Sequence, residues 1–330
     1  MRLSTQWCVR LGAERAWLAI SRFYANCKNP ALKKKGYPKF KKNTRSVEYK
    51  TSGWKLSEDR RRITFTDRFG AGMFKMRGGF DLNFCQLEQI KRVRVIRRAD
   101  GSYAQFGIKH ERVEPAQPTG KQIGLDVGLA HFYTDSNGEK IENPRHLRKT
   151  EKALQRAQRR VSRKKKGSKN RLKAIKRLGR KHFKVQRQRK DFAVKLARCV
   201  VTSNDVVVHE DLQVRNLVKN HSLAKRISDA GWRQFLDWLG YLAKVYGKTV
   251  IAVAPQYTSQ ECSHCGRMAK KSLSQRTHVC ECGCVLDRDE NAAINILRKG
   301  LSTPGHGGIH AWGHDNRCQL GESLPDKLCG

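Results

Sequence analysis

Acidic residues are scarce in this chain of 330 residues. It carries 29 Asp and Glu against 69 Lys and Arg, which gives a formal net charge of +40. Such an imbalance predicts a partner rich in phosphates, because each phosphate that a cation neutralises releases condensed counterions. A role at a membrane surface or in a ribosome is the plainer alternative.

Long apolar runs are also lacking. No stretch approaches the roughly 20 apolar residues that span a bilayer, and residues 1–5 begin no apolar run of the kind that a secretory signal needs. We therefore expect an intracellular protein. In a reducing compartment its 11 cysteines are more often metal ligands or core residues than disulfides.

The N-terminal third combines a short helical start, residues 14–24, with a basic loop and strand-like runs. The loop interleaves cations and rings, which suits gripping a nucleic-acid backbone while stacking on bases. A surface loop whose rings anchor it to a core is the alternative. The candidate contacts in the loop are Lys35, Tyr37, Lys39 and Phe40. Farther along, Asp100-Gly101 between two strand-like runs predicts a hairpin.

A linker at 115–118 precedes alternating strand and helix signals. A buried strand, a second strand and a turn into a third suggest an antiparallel start, which suits a ribonuclease-H-like α/β fold. The predicted strands are 122–127, 130–135, one after the turn at 136–138, 205–209 and 249–254, and the predicted helices include 232–239 and 291–297.

Residues 152–190 contain no acidic residue. Apolar residues recur there with helical spacing on both sides of Lys165-Lys166-Gly167-Ser168. A charge run is usually a solvated tail, but this one is internal and amphipathic, so we predict a basic helical hairpin that faces nucleic acid. Its candidate contacts are Arg159, Arg160, Arg163, Lys164, Lys165, Lys173, Lys176, Arg177, Arg180 and Arg187.

Two cysteine pairs, each followed by glycine, are separated by residues 266–279. They are Cys262 with Cys265 and Cys280 with Cys282. Four thiolates suit a tetrahedral Zn²⁺ ion, which cross-links loops that lack a core of their own. The second pair has only one intervening residue, so Cys284 is a rival ligand, although the glycine after Cys282 favours Cys282.

Three carboxylates lie at or near the ends of apolar runs. Asp126 and Glu210 end strand-like runs, and Asp289 lies where a loop enters a helix. Any one of them could be a helix cap or an ion-pair partner, but together they predict a site for two Mg²⁺ ions roughly 4 Å apart that hydrolyses phosphodiesters. Glycines at 124 and 128 would let a ligand or backbone approach Asp126. The competing acidic residues are Asp135, Asp205, Asp211 and Asp287, and the residues alone do not separate Asp287 from Asp289.

Four segments in their order along the chain resemble the TnpB family, transposon-encoded proteins of the OrfB transposase type and ancestral to the Cas12 nucleases. The segments are Gly124-Leu125-Asp126-Val127-Gly128, Val208-His209-Glu210-Asp211-Leu212, Tyr257-Thr258-Ser259-Gln260 before Cys262-Ser263-His264-Cys265-Gly266, and Asp287-Arg288-Asp289-Glu290-Asn291-Ala292-Ala293. The resemblance covers roughly residues 33–297.

The resemblance implies a RuvC nuclease domain in which Asp126, Glu210 and Asp289 bind Mg²⁺, and it selects Asp289 over Asp287. It also implies an inserted zinc knuckle. A guide RNA from the transposon end would direct cleavage of double-stranded DNA in the prokaryotic cytoplasm, next to the nucleoid. The basic stretches would hold RNA and heteroduplex by shape and phosphate.

The resemblance also implies a domain plan. Its parts are a wedge- and recognition-like region with a partial β-barrel at 1–114, a RuvC part at 115–255 with a basic helical insertion at 146–200, a zinc knuckle at 256–285, a last RuvC helix at 286–300 and a disordered tail at 301–330. Family members begin with further strand and helices, so we expect the first region to be shortened and its RNA or target binding to be affected.

Three other functions fit parts of the sequence. A transposase could use the same carboxylates for strand transfer. A non-cutting RNA-guided DNA-binding protein would be marked by loss of a carboxylate, whereas all three matched positions are acidic here. A basic RNA-associated zinc protein without catalysis would leave the carboxylates at the strand ends unexplained.

Overall fold

The computed structural model describes most of the chain between residues 5 and 302. Within that span it leaves out 33, 40–44, 67–71, 79–80, 111, 270–271 and 273–274. The chain divides between residues 111 and 112 into two compact units. No helix in the described ranges is long and apolar enough to cross a membrane.

The first unit contains one long helix and two small antiparallel sheets. Sheet order is β1-β5-β6 in one and β2-β3-β4 in the other. The elements are α1 (Thr5–Lys28), β1 (Ser46–Tyr49), β2 (Trp54–Leu56), β3 (Arg62–Phe65), β4 (Met73–Lys75), a 3-10 turn (Leu87–Gln89), β5 (Ile90–Arg97) and β6 (Ser102–Ile108).

The structure of the first unit confirms two predictions that were made from short stretches of sequence. The predicted helix at 14–24 lies within α1, and β5 and β6 pair antiparallel around the Asp-Gly turn. Ile63, Ile90 and Val93 are buried in the centre of the unit. An ion pair fastens α1, since the half-exposed Arg15 donates to the buried carboxylate of Glu48 in β1 at 2.8 Å. The partial β-barrel stays a prediction.

The second unit is built around a five-stranded sheet with helices. Its elements are β7 (Gln122–Val127), β8 (His131–Asp135), β9 (Lys140–Glu142), α2 (His146–Ser162), α3 (Lys169–Ser203), β10 (Val206–Glu210), α4 (Val214–Leu217), α5 (His221–Ala230), α6 (Trp232–Tyr246), β11 (Thr249–Val253), β12 (Thr277–Val279), β13 (Val285–Asp287) and α7 (Arg288–Ser302).

The strand order of the large sheet is β11-β10-β7-β8-β9. The strands β7, β8 and β9 form an antiparallel meander, whereas β10 pairs parallel to both β7 and β11. Valine-rich β10 is the middle strand of the parallel part of the sheet, β11-β10-β7. β-Branched side chains suit strands that are buried on both faces. The α/β prediction is confirmed.

Two glycines allow α7 to lie directly on the sheet. A Cβ atom at Gly124 of β7 would lie 2.2 Å from the carbonyl oxygen of Ala293, and one at Gly300 would lie 2.5 Å from Cγ1 of Val208. Real Cβ atoms do not approach that closely, so any side chain at either position would push the helix away. Of the two partners that we expected Gly124 to admit, a ligand or backbone, it admits the backbone of α7.

The predicted helical hairpin is present as α2 and α3, separated by residues 163–168. Its base is fixed by the buried carboxylate of Asp229, which accepts the backbone N–H groups of Leu147 and Arg148 at 2.8 and 3.1 Å. The apolar stripe at the start of α3 differs from expectation. Leu172 and Ile175 are 56% and 45% exposed, so helical spacing predicted the helix correctly but not its packing.

Candidate functional site

Two of the predicted site carboxylates come from adjacent parallel strands. Strand β10 pairs with β7 so that His209 lies opposite Leu125, and the next positions along each strand are Glu210 and Asp126. Asp126 is affected by its acidic neighbours. The pKa of Asp126 is raised well above its ordinary value, first by burial and then by the nearby Glu210 and Asp289 carboxylates.

Glu210 lies at the buried end of β10. It is 9% exposed, and burial raises its pKa. The hydroxyl of Thr258, itself 3% exposed, donates to Oε1 of Glu210 at 2.6 Å and opposes that shift. A buried carboxylate with a hydroxyl donor is held in one orientation.

Asp289 lies in the first turn of α7, which begins at Arg288, rather than in the loop before the helix. The preceding strand β13 ends at Asp287, so no loop separates the two elements. The Asp289 side chain is 22% exposed, and Arg276 lies 3.7 Å away. It is therefore partly exposed, and it lies near enough to Asp126 to help raise the pKa of that carboxyl.

Asp287 is occupied by structural contacts. Its Oδ1 accepts the backbone N–H groups of Asp289 and Glu290 at 2.9 and 3.4 Å, which caps α7. Its Oδ2 accepts Lys140 Nζ at 2.6 Å. Although burial opposes the shift, these partners, Lys140 first, hold the pKa of Asp287 below its ordinary value. These contacts distinguish Asp287 from Asp289.

Of the other competing acidic residues, Asp135 and Asp205 have hydrogen-bond partners, and Asp211 lies beyond the end of its strand. Asp135 accepts two backbone N–H groups of its own turn at 2.9 Å. Asp205 accepts the N–H groups of Thr119 and Gly120 and pairs with Lys248 at 2.6 Å. Asp211 is exposed beyond the end of β10.

The cysteine pairs converge on one point. Ligand atoms of Cys262, Cys265, Cys280 and Cys282 lie within 4.8 Å of one another. The sulfurs of Cys262 and Cys282 are 3.7 Å apart, and those of Cys265 and Cys280 are 3.5 Å apart. Four sulfurs at the usual Zn–S distance would be separated by about 3.8 Å. The donor set therefore fits a tetrahedral zinc ion.

Local geometry explains how the cysteine turns form. Gly266 and Gly283, each just after a cysteine pair, have φ values of 76° and 85°, a region that favours glycine. Their N–H groups donate to the carbonyls of Cys262 and Cys280. The rival Cys284 forms a second, three-membered group with Cys262 and buried His278.

The predicted basic contacts of α2 and α3 lie on the surface. All ten are exposed, which suits a surface that binds phosphates. Arg187 differs from the others because its guanidinium lies 4.2 Å from the ring centre of Phe183. A stacked guanidinium keeps its charge but is held in place by the ring.

The loop residues of the first unit have mixed positions. Tyr37 is 72% exposed and meets Phe23 edge-on at 5.1 Å between ring centres. Lys35 donates to the carbonyl of Asn29 at 2.6 Å, and Lys39 is exposed. Phe40 lies outside the described residues. The ring of Tyr37 is therefore both supported by a neighbour and open to solvent.

Sequence reasoning missed several buried polar residues around the site. Thr258 contacts Glu210, and Asn291 and Asn295 of α7 are fully buried. An asparagine pair four residues apart on an apolar helix face was the available signal, since buried amides require partners. Asp229, which fixes the base of the hairpin, gave no local signal.

Two family models match this chain. One is OrfB_IS605, described as "Probable transposase", over residues 105–221. The other is described as "Cas12f1-like, TNB domain" and matches residues 232–296. Together the two matches span β7, the helical hairpin, β10, the cysteine cluster and most of α7.

Relatives match over larger parts of the chain. An Escherichia coli K12 protein, "Putative RNA-guided DNA endonuclease InsQ", is 30% identical over 90% of this chain and 76% of its own length. A Streptomyces pristinaespiralis "Putative RNA-guided DNA endonuclease" is 43% identical over 58% of this chain. The chain spans about half of that relative, 48% of its length. A solved Cas12f1-sgRNA-target DNA complex is 16% identical with a TM-score of 0.48, over 76% of this chain and 59% of that one.

Proposed function

We propose, since this chain belongs to the TnpB family, that it is an RNA-guided, metal-dependent DNA endonuclease of a mobile element. The observation that carries the proposal is that Asp126 and Glu210 hold neighbouring positions at the ends of two paired parallel strands, with Asp289 near enough to help raise the pKa of Asp126, in a strongly basic chain. The guide RNA would come from the transposon end, and double-stranded DNA would be the target.

The sheet supports the identification of a RuvC domain. An antiparallel meander continued by two parallel strands is the ribonuclease-H-like arrangement that the sequence resemblance implies. In that arrangement Asp126 belongs to the first strand, Glu210 to the end of the fourth, and Asp289 to the helix that crosses them. The domain plan predicted from the resemblance, including the zinc knuckle at 256–285, is part of this proposal.

The carboxylates fit divalent cations. Oxygen donors are the ligands that Mg²⁺ prefers, and burying mutually repelling carboxylates is costly unless positive charge joins them. Asp126, Glu210 and Asp289 would hold two Mg²⁺ ions. When bound, such ions activate the attacking water and stabilise the leaving oxygen. The protein contributes the fixed positions: Asp126 and Glu210 through strand pairing, and Asp289 through α7 and its cap at Asp287.

The four cysteines would hold one structural Zn²⁺ ion. Among the described residues 255–287, the only regular elements are the short strands β12 and β13. A zinc cross-link between the two cysteine turns would supply the stability that so small a segment lacks. Cys282 completes the four-sulfur group, and Cys284 would stay outside it.

The basic surfaces would bind RNA and the heteroduplex. The exposed cations of α2 and α3 offer phosphate contacts without sequence preference. In the loop, Lys35, Tyr37, Lys39 and Phe40 would combine charge with base stacking. Sequence specificity would then come from pairing between guide RNA and DNA.

Co-purification tests the proposal. The protein is expressed with its flanking transposon sequence, the bound RNA is sequenced, and a plasmid that matches the guide is incubated with the complex and Mg²⁺. We expect a defined RNA and a cut at the matched site, with Asp126→Asn retaining the RNA but not the cut. A protein that carries no RNA and leaves the plasmid intact would contradict the proposal.

Strand transfer is a second candidate, because the family model over β7 and the hairpin carries a transposase description. The same carboxylates would serve that reaction. Incubating the complex with DNA carrying transposon ends separates the two functions. Joined products would indicate strand transfer, whereas cut but unjoined products indicate hydrolysis.

A further inference from the structure

The segment between β11 and the cysteine cluster connects the two candidate metal centres. It runs over residues 255–263 and includes the ligand Cys262. Thr258 in this segment is almost fully buried, and its hydroxyl lies 2.6 Å from Glu210 Oε1 and 3.2 Å from the carbonyl oxygen of Pro255. The Thr258 hydroxyl has one proton to donate. The carboxylate of Glu210, at the shorter distance, is the stronger acceptor for that proton.

Helix α7 holds the segment with buried amides. Asn295 Nδ2 donates to the carbonyls of Thr258 and Glu261 at 2.9 and 2.7 Å. Asn291 Nδ2 donates to the same Glu261 carbonyl at 2.8 Å, and its Oδ1 accepts the N–H of Ser263 at 2.9 Å. Both asparagines have no exposed surface. Because water cannot replace a lost partner there, losing one of these hydrogen bonds would destabilise the protein.

The end of α7 adds two further contacts to the same segment. Arg298 pairs with the Glu261 carboxylate at 2.6 Å and also donates to Asn295 Oδ1 at 2.9 Å. Lys299 donates to the carbonyl of Gln256 at 2.6 Å. The same helix carries Asp289 in its first turn. One rigid element therefore presents one carboxylate and controls the partner of another.

We propose that Thr258 is a positioning residue for Glu210, and that Asn295 together with the zinc-bound cysteine turns keeps Thr258 in place. The inference rests on the proposed function, in which Glu210 binds a divalent cation. A carboxylate with one oxygen held by a hydroxyl can offer the other oxygen in a fixed direction. Residues that support metal ligands in this way typically change metal affinity about 10- to 100-fold when they are removed. Zinc bound by the four cysteines would thus help to fix Thr258, and through it the metal affinity of Glu210.

The test compares two variants that each lose one hydroxyl, Thr258→Val and the control Thr150→Val. Thr258→Val keeps nearly the same shape but removes the donor, and Thr258→Ser restores it. Thr150→Val is the matched control, because the Thr150 hydroxyl donates only to carbonyls of its own helix α2. Mn²⁺ binding to the purified full chain with its RNA is measured by titration calorimetry, counting only the binding that Asp126→Asn abolishes. Zinc content and melting temperature are measured on the same samples.

We expect Thr258→Val to weaken Mn²⁺ binding about 10- to 100-fold with unchanged zinc content, and to cut DNA only at correspondingly higher Mg²⁺. Thr258→Ser should bind nearly as well as the unchanged protein, and Thr150→Val equally well. Unchanged Mn²⁺ affinity in a folded Thr258→Val would overturn the inference.

A second experiment tests whether zinc binding affects the carboxylate site. It can be done even if Thr258→Val does not fold. Cys282 is exposed, so Cys282→Ser removes one sulfur with little effect on packing. We expect loss of zinc and weaker Mn²⁺ binding at the carboxylates, and unchanged Mn²⁺ affinity after zinc loss would contradict the coupling. If the unchanged protein neither binds Mn²⁺ nor cuts, the proposed function fails and the inference with it. If it does both while the variants bind equally well, the inference alone fails.

Discussion

The carboxylate end of the large sheet and the basic hairpin of α2 and α3 solve opposite problems. Asp126 and Glu210 are shielded, repel each other and depend on exact neighbours. The hairpin cations are exposed and numerous, with no acidic residue over 152–190. A buried centre can be destroyed through one side chain, because each group has a fixed place. An exposed charged surface is redundant, because phosphates accept many arrangements of cations.

The largest effect should follow from Asp126→Asn. We expect cleavage to fall by more than the roughly 100-fold that removing a supporting residue can cost, while RNA binding is unchanged. The melting temperature of the metal-free protein should rise, because a neutral amide relieves both burial of charge and repulsion from Glu210 and Asp289. Single-turnover cleavage and thermal melting check these results. A variant that cuts normally would remove Asp126 from the site.

Asp287 and Asp289 can be compared at the start of α7, where Asp287 precedes the helix and Asp289 lies in its first turn. Asp289→Asn should lose cutting nearly as fully as Asp126→Asn. Asp287→Asn should keep most of it, because asparagine caps a helix about as well as aspartate and only the pair with Lys140 is weakened. Cleavage rates of the two variants, measured side by side at saturating Mg²⁺, decide the assignment. The reverse order would make Asp287 the metal ligand.

Gly124→Ala should disturb the carboxylate end without touching a charge. Its Cβ would lie 2.2 Å from a carbonyl oxygen of α7, and overpacking of this kind costs about 1–3 kcal/mol. Gly240→Ala is the control, because Gly240 lies within α6 with no atom near its Cβ position, and alanine there should stabilise the helix by up to about 1 kcal/mol. Denaturant unfolding measures both. Equal stabilities would contradict the close packing of α7 on β7.

The smallest effect should come from the hairpin. Replacing Arg159 and Arg163 with glutamine should weaken nucleic-acid binding modestly and lower its salt dependence by about one unit of slope for each phosphate that is no longer neutralised. Lys195→Gln is the control, since Lys195 already pairs with Asp191 at 3.0 Å. Binding titrations at several salt concentrations measure the slope. An unchanged slope would place the bound nucleic acid elsewhere.

Local signals predicted much of the second unit. The turn at Ser136–Gly138, the break at Lys165–Ser168 and the glycine after each cysteine pair act within a few residues, so their structural outcome could be predicted directly. The hairpin helices followed from helical spacing. The convergence of the four cysteines followed from their spacing together with the glycine after Cys282.

Contacts between distant residues could not be predicted in this way. Asp287 is distinguished from Asp289 by its ion pair with Lys140 and by its capping of the N-terminus of α7. Lys140 is 147 residues away from Asp287 along the chain. Thr258 acquires its importance only because β10 ends beside it. Leu172 and Ile175 have helical spacing, but which face of α3 meets a neighbour depends on the assembled unit.

Cleavage of a guide-matched plasmid at saturating protein and Mg²⁺ separates the fixed carboxylates from the redundant basic surface. The samples are the unchanged protein, Asp126→Asn and the double hairpin variant, each purified with its RNA. We predict normal cutting by the unchanged protein, near-normal cutting by the hairpin variant once binding is saturated, and no cutting by Asp126→Asn. Cutting by Asp126→Asn at the rate of the unchanged protein would contradict the account.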